Sequence, residues 1–230
     1  MDIKVSVPNH LSEITLAQYR KYISLVEANK DDENANTFVS MKMLEIFCGL
    51  PYEKTKFLKF KDVAHIVGIL SDMLNSKPEL VKTFKIGDIE FGFHPKIEDM
   101  SFGEYIDLDT SIGDWDKMHL AMGVLYRPIE QKYGARYRVA DYVPEKYEDA
   151  MKHTPMDAVI SSLVFFYNLG IELSTAMMNY LQKTEEEALT QHLPLEESGV
   201  GISQFMDSLK GTLQDLMISP PKDSTSAIRS

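Results

Sequence analysis

The densest run of ionisable side chains is EYIDLDTSIGDWD, residues 104–116, which holds Glu104, Asp107, Asp109, Asp114 and Asp116 with no basic residue among them. Carboxylates at alternating positions are what a calcium loop requires, and Asp107, Asp109 and Ser111 fit its opening. The sixth position is Ile112, where the sharp turn needs Gly. The twelfth is Met118, where a bidentate Glu closes the cage. The run therefore reads as a solvated helix face with its following loop, and no metal is expected. Paired carboxylates for glycoside chemistry would need one raised pKa and a sugar cleft, and the pattern points to neither. The six histidines, His10, His65, His94, His119, His153 and His192, never fall three or four residues apart, so no helical zinc motif exists. Cys48 follows Phe47 near the end of an apolar run and reads as a buried thiol. A single Cys excludes an intramolecular disulfide and makes an intracellular life the simplest expectation. Phosphate-cradling Gly loops, GxSxG elbows and Cys-pair knuckles are missing, so no catalytic or cofactor-binding residue is expected.

One basic segment stands against this acidity. YRPIEQKYGARYR interleaves Arg127, Lys132, Arg136 and Arg138 with Tyr126, Tyr133 and Tyr137. Tyrosines beside arginines can stack single-stranded bases. The competing reading pairs these arginines with the acidic block upstream. A net charge of −11, from 24 Lys+Arg against 35 Asp+Glu, favours that pairing and argues against nucleic-acid binding. The 230 residues are 44% apolar and 26% charged, the balance of an ordinary globular protein. MDIKVSVPNHLSE has no basic segment followed by an apolar core, so no secretory signal is expected.

The elements that must position these groups read as mainly α. Ile3, Val5 and Val7 alternate over Asp2–Val7 and predict a short edge strand before Pro8. Thr15 with Gln18 forms a capping box opening a first helix. A second starts near Thr37 and is stopped by Gly49 and Pro51. A third covers about 61–75, with Val63, Ile66, Val67, Leu70 and Leu74 inward. In TFKIGDIEFGF, apolar residues flank Gly87-Asp88, which predicts a β-hairpin over about 84–93. Helices resume at Ser101, capped by Glu104, and over about 114–126 before Pro128. Residues 131–143 read as irregular and partly extended. The fold expected is an irregular helical bundle with one small hairpin.

Thr154-Pro155 then opens a long buried helix over about 155–183. It is long enough to suggest a membrane span. Ser161, Asn168, Glu172, Thr175, Asn179 and Gln182, however, recur at spacings of 7, 4, 3, 4 and 3, one polar stripe that a lipid-facing helix would not keep. Residues 1–183 form the expected helical core domain and 184–201 an acidic linker. Residues 202–217 form an amphipathic helix with Ile202, Phe205, Leu209, Leu213 and Leu216 on one stripe, and 218–230 a flexible tail. That stripe is the candidate partner-binding surface. Thirteen Met residues, among them Met122, Met151, Met156, Met177, Met178, Met206 and Met217, suit either core filling or an adaptable binding face.

Three blocks, KMLEIFCGLPYEK, DMSFGEYIDLDTSIGDWDKMHLAMGVLYRPI and MDAVISSLVFFYNLGIELSTAMMNYLQ, resemble uncharacterised tail and virion proteins of tailed bacteriophages. The likeness covers about residues 16–182. Within that group, size, acidity and helical pattern are similar to tail assembly chaperones. Such proteins keep the long helical tape-measure protein soluble while tail-tube subunits polymerise around it. The resemblance implies a non-enzymatic morphogenesis protein acting in the host cytoplasm, with tail proteins or a second copy as partners and no membrane. The alternative it implies is a structural virion component such as a baseplate, connector or internal protein.

Overall fold

The computed structural model describes residues 4–32 and 35–188. Two compact units divide the chain, Met1–Ser162 and Leu163–Ser230. The expected C-terminal helix over 202–217, its stripe of Ile202, Phe205, Leu209, Leu213 and Leu216, and the tail lie outside the described residues.

Two helices open on side-chain capping boxes. α1 (Leu16–Ala28) opens on Thr15, whose hydroxyl accepts from Gln18 N–H while the Gln18 side chain accepts from Thr15 N–H. Its first-turn N–H groups are satisfied from elsewhere: Leu16 donates to the Thr154 carbonyl and Ala17 to that of Lys152. α2 (Ala35–Cys48) ends at Gly49, whose φ of +64° is the left-handed conformation a helix stop favours. A short α3 (Tyr52–Thr55) leads into α4 (Phe60–Leu74). Of the inward set expected on α4, only Leu70 and Leu74 are buried; Val63, Ile66 and Val67 are half-buried.

The expectation of a helical bundle with one hairpin is incorrect. Four antiparallel strands form one sheet in the order β1 (Thr83–Ile86), β2 (Ile89–Phe93), β3 (Tyr126–Tyr133) and β4 (Arg136–Val139), which makes this a mixed α and β fold. The hairpin about Gly87-Asp88 is present, with Ile86 opposite Ile89, but it is half of the sheet. β2 does not pair with the N-terminal segment, of which the described residues 4–7 form no strand. Its partner is β3, through Phe91–Pro128, Gly92–Arg127 and Phe93–Tyr126. β3 then pairs with β4 from Ile129 to Tyr133, across a second tight turn in which Gly134 takes φ +62°. Pro128 lies where β3 passes from one neighbour to the other, beside a bulge at Ile129/Gln131, so its missing N–H interrupts neither ladder.

Between the hairpins lie α5 (Phe102–Asp109), with a second capping box from Ser101 and Glu104, and α6 (Met118–Leu125). α7 (Glu148–Met151) precedes α8 (Met156–Ala188), which continues past 183 and carries Met156–Ser162 in the first unit. Met156 N–H donates to the Ile14 carbonyl, tying the starts of α1 and α8 together. The core of the first unit includes Ile14, Leu16, Leu44, Leu70, Phe91, Ile112 and Tyr126. Met118, Met122, Met151 and Met156 are fully buried with them, so these methionines fill the core. Tyr126 donates from its hydroxyl to the Val81 carbonyl and meets Ser162 Oγ at 3.1 Å, and burial pushes its pKa up. On α8 the expected polar stripe is split: Ser161 is buried and accepts from Val81 N–H, whereas Asn168, Glu172 and Thr175 are exposed. No helix among the described residues is long and apolar enough to cross a membrane.

Candidate functional site

Two clefts gather polar side chains in the first unit. The first, about 270 Å³, is lined by α5, α6 and the approach to α7. His119 sits in its wall with Nδ1 3.4 Å from Arg20 Nη1 and Nε2 3.2 Å from Glu148 Oε1. The guanidinium can only donate, so Nδ1 accepts and Nε2–H donates to the carboxylate. Arg20 is itself held by Asp116 at 3.0 Å. Both ring nitrogens are engaged, which leaves the imidazole nothing with which to activate the buried Ser111 in the same cleft. Across the cleft the Tyr142 hydroxyl donates to Asp107 at 2.8 Å; burial, followed by that carboxylate, pushes the phenol pKa up.

The second cleft, about 320 Å³, lies where α5 meets the sheet and centres on a buried ion pair. Arg127 on β3 places Nη1 2.9 Å from Glu104 Oε1, and each residue is only 6% exposed. The other Glu104 oxygen accepts from Ser101 N–H at 2.6 Å, so one carboxylate caps α5 and anchors it to the sheet. Burial pushes the Glu104 carboxyl up. Hydrogen bonds from Ser101 and the Arg127 charge outweigh that, and the net shift is down. His94 beside them is pushed down, first by burial and then by Arg127, and its Nδ1 accepts from Lys96 N–H.

Acid therefore acts twice on this cleft. The neutral His94 contributes stability above its ordinary pKa of 6.5, and this is lost as pH falls through that value toward the depressed one. The Glu104 contribution is present above its ordinary 4.5 and disappears below it. The melting temperature is expected to fall in two limbs on acidification. His94→Gln should flatten the upper limb alone; an unchanged upper limb in that variant would show that His94 is not its source.

The sequence-derived candidates disperse. Glu104 is buried with Arg127, Asp107 serves Tyr142, Asp116 serves Arg20, and Asp114 lies 3.7 Å from Lys117. No group of three His, Cys, Asp or Glu among the described residues could hold a metal ion. Within the basic segment Arg127 does pair with the upstream acidic block, while Arg138 and Lys132 go to Glu130 and Glu90 within the sheet. Tyr126 is in the core and Tyr137 is tied by its hydroxyl to backbone carbonyls, which leaves Tyr133 as the exposed ring of the three. Cys48 is half-buried and burial pushes its thiol up, away from the reactive thiolate.

What the sequence reading missed is apolar. Phe57 and Phe60, either side of the start of α4, are 79% and 86% exposed, and Phe102 at the start of α5 is 77% exposed. Phe102, Tyr105 and Ile106 follow helical i, i+3, i+4 spacing along the exposed side of α5. The available signal was KTKFLKFK, residues 54–61, in which two Phe are interspersed among four Lys. Comparison with protein-family models, curated proteins and solved structures finds no match to this chain.

Proposed function

We propose that this chain is a non-enzymatic bacteriophage morphogenesis protein, a tail assembly chaperone that keeps a helical tape-measure-type partner soluble in the host cytoplasm. The observation that carries the reading is the surface. Three Phe side chains, 77% to 86% exposed, stand at helix starts (Phe60, Phe102) or in the turn before one (Phe57), while the polar groups of both clefts are largely paired with one another. Exposed rings at this density mark contact surfaces rather than catalytic ones. The phage context comes from the sequence resemblance, and the acidic, helix-rich chain suits a protein that must cover apolar stripes without aggregating. The stripe of Ile202, Phe205, Leu209, Leu213 and Leu216 supplies the partner-binding helix in this reading, by the helix-in-groove mode.

Co-expression with a tape-measure-type helical protein tests it. The full chain is expected to keep that protein in the soluble fraction and to co-purify with it. Leu209→Asp/Leu213→Asp should abolish co-purification. Purified virions should lack the chain by mass spectrometry; a fixed copy number in virions would replace the chaperone reading with a structural component. Equal aggregation of the partner with and without this chain would overturn the proposal.

A further inference from the structure

The two exposed aromatic surfaces differ in charge. Around Phe57 and Phe60 stand Lys54, Lys56, Lys59 and Lys61, all exposed. Lys56 is held by Glu53 at 2.8 Å, whereas Lys54, Lys59 and Lys61 have no ion pair among the described residues. The α5 surface is the opposite. Phe102, Tyr105 and Ile106 are followed by exposed Asp109, seven residues from Phe102 and so on the same stripe, with half-buried Asp107 beside it. Neither carboxylate has a cation within ion-pair distance among the described residues; Asp107 accepts only from the neutral Tyr142 hydroxyl.

We infer that the Phe57/Phe60 lysine patch of one copy docks on the Phe102–Tyr105–Ile106 stripe of a second copy. Like-with-like pairing of either surface would bring lysines to lysines or carboxylates to carboxylates, and like charges brought together across an interface oppose docking strongly. Pairing the two different surfaces brings the unpaired lysines to the two unpaired carboxylates and gives each exposed ring an apolar neighbour. An anionic polymer or lipid surface would satisfy the lysines, but this chain itself supplies carboxylates and rings together. The net charge of −11 on each copy opposes approach at long range. It is screened beyond about 8 Å at physiological ionic strength, so the local match decides. A contact between two different surfaces is heterologous: it closes into a ring, or extends as a filament whose size rises with concentration. This inference rests on the exposed rings being a contact surface and concerns their partner alone. A helical protein can fail to bind while self-association holds, and the reverse.

The test uses two full-length variants and their mixture. Phe57→Asp/Phe60→Asp disables the basic patch; Phe102→Lys/Ile106→Lys disables the acidic stripe. Phe57, Phe60 and Phe102 are largely solvated and Ile106 is 43% exposed, so the first variant should melt as the unaltered chain does and the second close to it. Lys54→Glu/Lys59→Glu/Lys61→Glu is a second disabling variant that keeps the rings. In sedimentation velocity the unaltered chain is expected to associate with rising concentration. Each variant alone should associate about thirtyfold or more weakly, the size of a lost hot spot. An equimolar mixture of the first two should form one-to-one pairs and nothing larger, since each retains one live surface. A monomeric unaltered chain would overturn the inference, as would a variant that associates undiminished or a mixture that stays monomeric. Binding of the lysine patch to anionic vesicles or single-stranded DNA by a chain that stays monomeric would overturn it in favour of those partners.

Discussion

Arg127→Met is expected to destabilise the protein by about 3–5 kcal/mol at neutral pH, the range for leaving one member of a buried ion pair without its partner. The magnitude follows from where Glu104 is held. It is the third residue of α5, one oxygen is fixed on Ser101 N–H, and the residue is 6% exposed, so it cannot turn outward to water when the guanidinium is removed. Glu104→Gln should cost less, because an amide oxygen still caps the helix, although Arg127 then keeps a buried charge with no carboxylate. Its Nε already lacks a partner, which adds to that penalty. The double variant should lose less than the two single losses combined, since neither charge remains. Urea unfolding with an unchanged slope measures each value. The pH dependence gives an independent sign. Without Arg127 the Glu104 carboxyl loses one of the influences that hold it down while the hydrogen bonds from Ser101 remain, so the loss of stability in acid should be smaller in the variant than in the parent. A loss below about 1 kcal/mol would place the pair among solvated surface bridges.

That ion pair also marks the limit of what the amino-acid order conveyed. Both capping boxes are local devices, a hydroxyl and a Glu or Gln three residues apart, and they stand at Thr15/Gln18 and Ser101/Glu104 where the pattern places them. Gly87-Asp88 is equally local. The second hairpin escaped because the distal half of β3 faces solvent on both sides and the Arg-Tyr-Arg-Val alternation of β4 is only four residues long, too short to announce a strand. Pro128, a helix stop in sequence, sits inside β3 at its changeover point. α4 shows the converse failure. Its helical period was legible, but periodicity does not reveal how much of an apolar face finds a neighbour, and Phe57 and Phe60 find none that covers them. The partner-binding stripe over 202–217 lies outside the described residues and stands on its sequence pattern.

Gly92→Ala should destabilise the protein by roughly 1–3 kcal/mol, the usual range for forcing atoms into a packed site. Gly92 pairs with Arg127 and Thr83 in the middle of the sheet, and β4 brings the Tyr137 ring over it. A Cβ added there would lie 2.5 Å from Tyr137 Cε2 and 3.0 Å from both Tyr137 Cδ2 and Ile129 Cγ1. The ring cannot simply swing away. Its hydroxyl is 2.8 Å from the Phe93 carbonyl and 3.1 Å from that of Lys82, so it is pinned across β2 by the bond it donates. The clash and the hydrogen bond are therefore one constraint, and a double-mutant cycle separates it from backbone effects. Tyr137→Phe removes the pin and should cost about 0.5–1.5 kcal/mol by itself. In that background Gly92→Ala should cost less, because the ring can tilt. With Tyr137→Ala most of the cost should disappear, leaving the 3.0 Å approach to the end of the Ile129 side chain. An equal cost in all three backgrounds would mean that the strand backbone, and not the ring, requires glycine at this position.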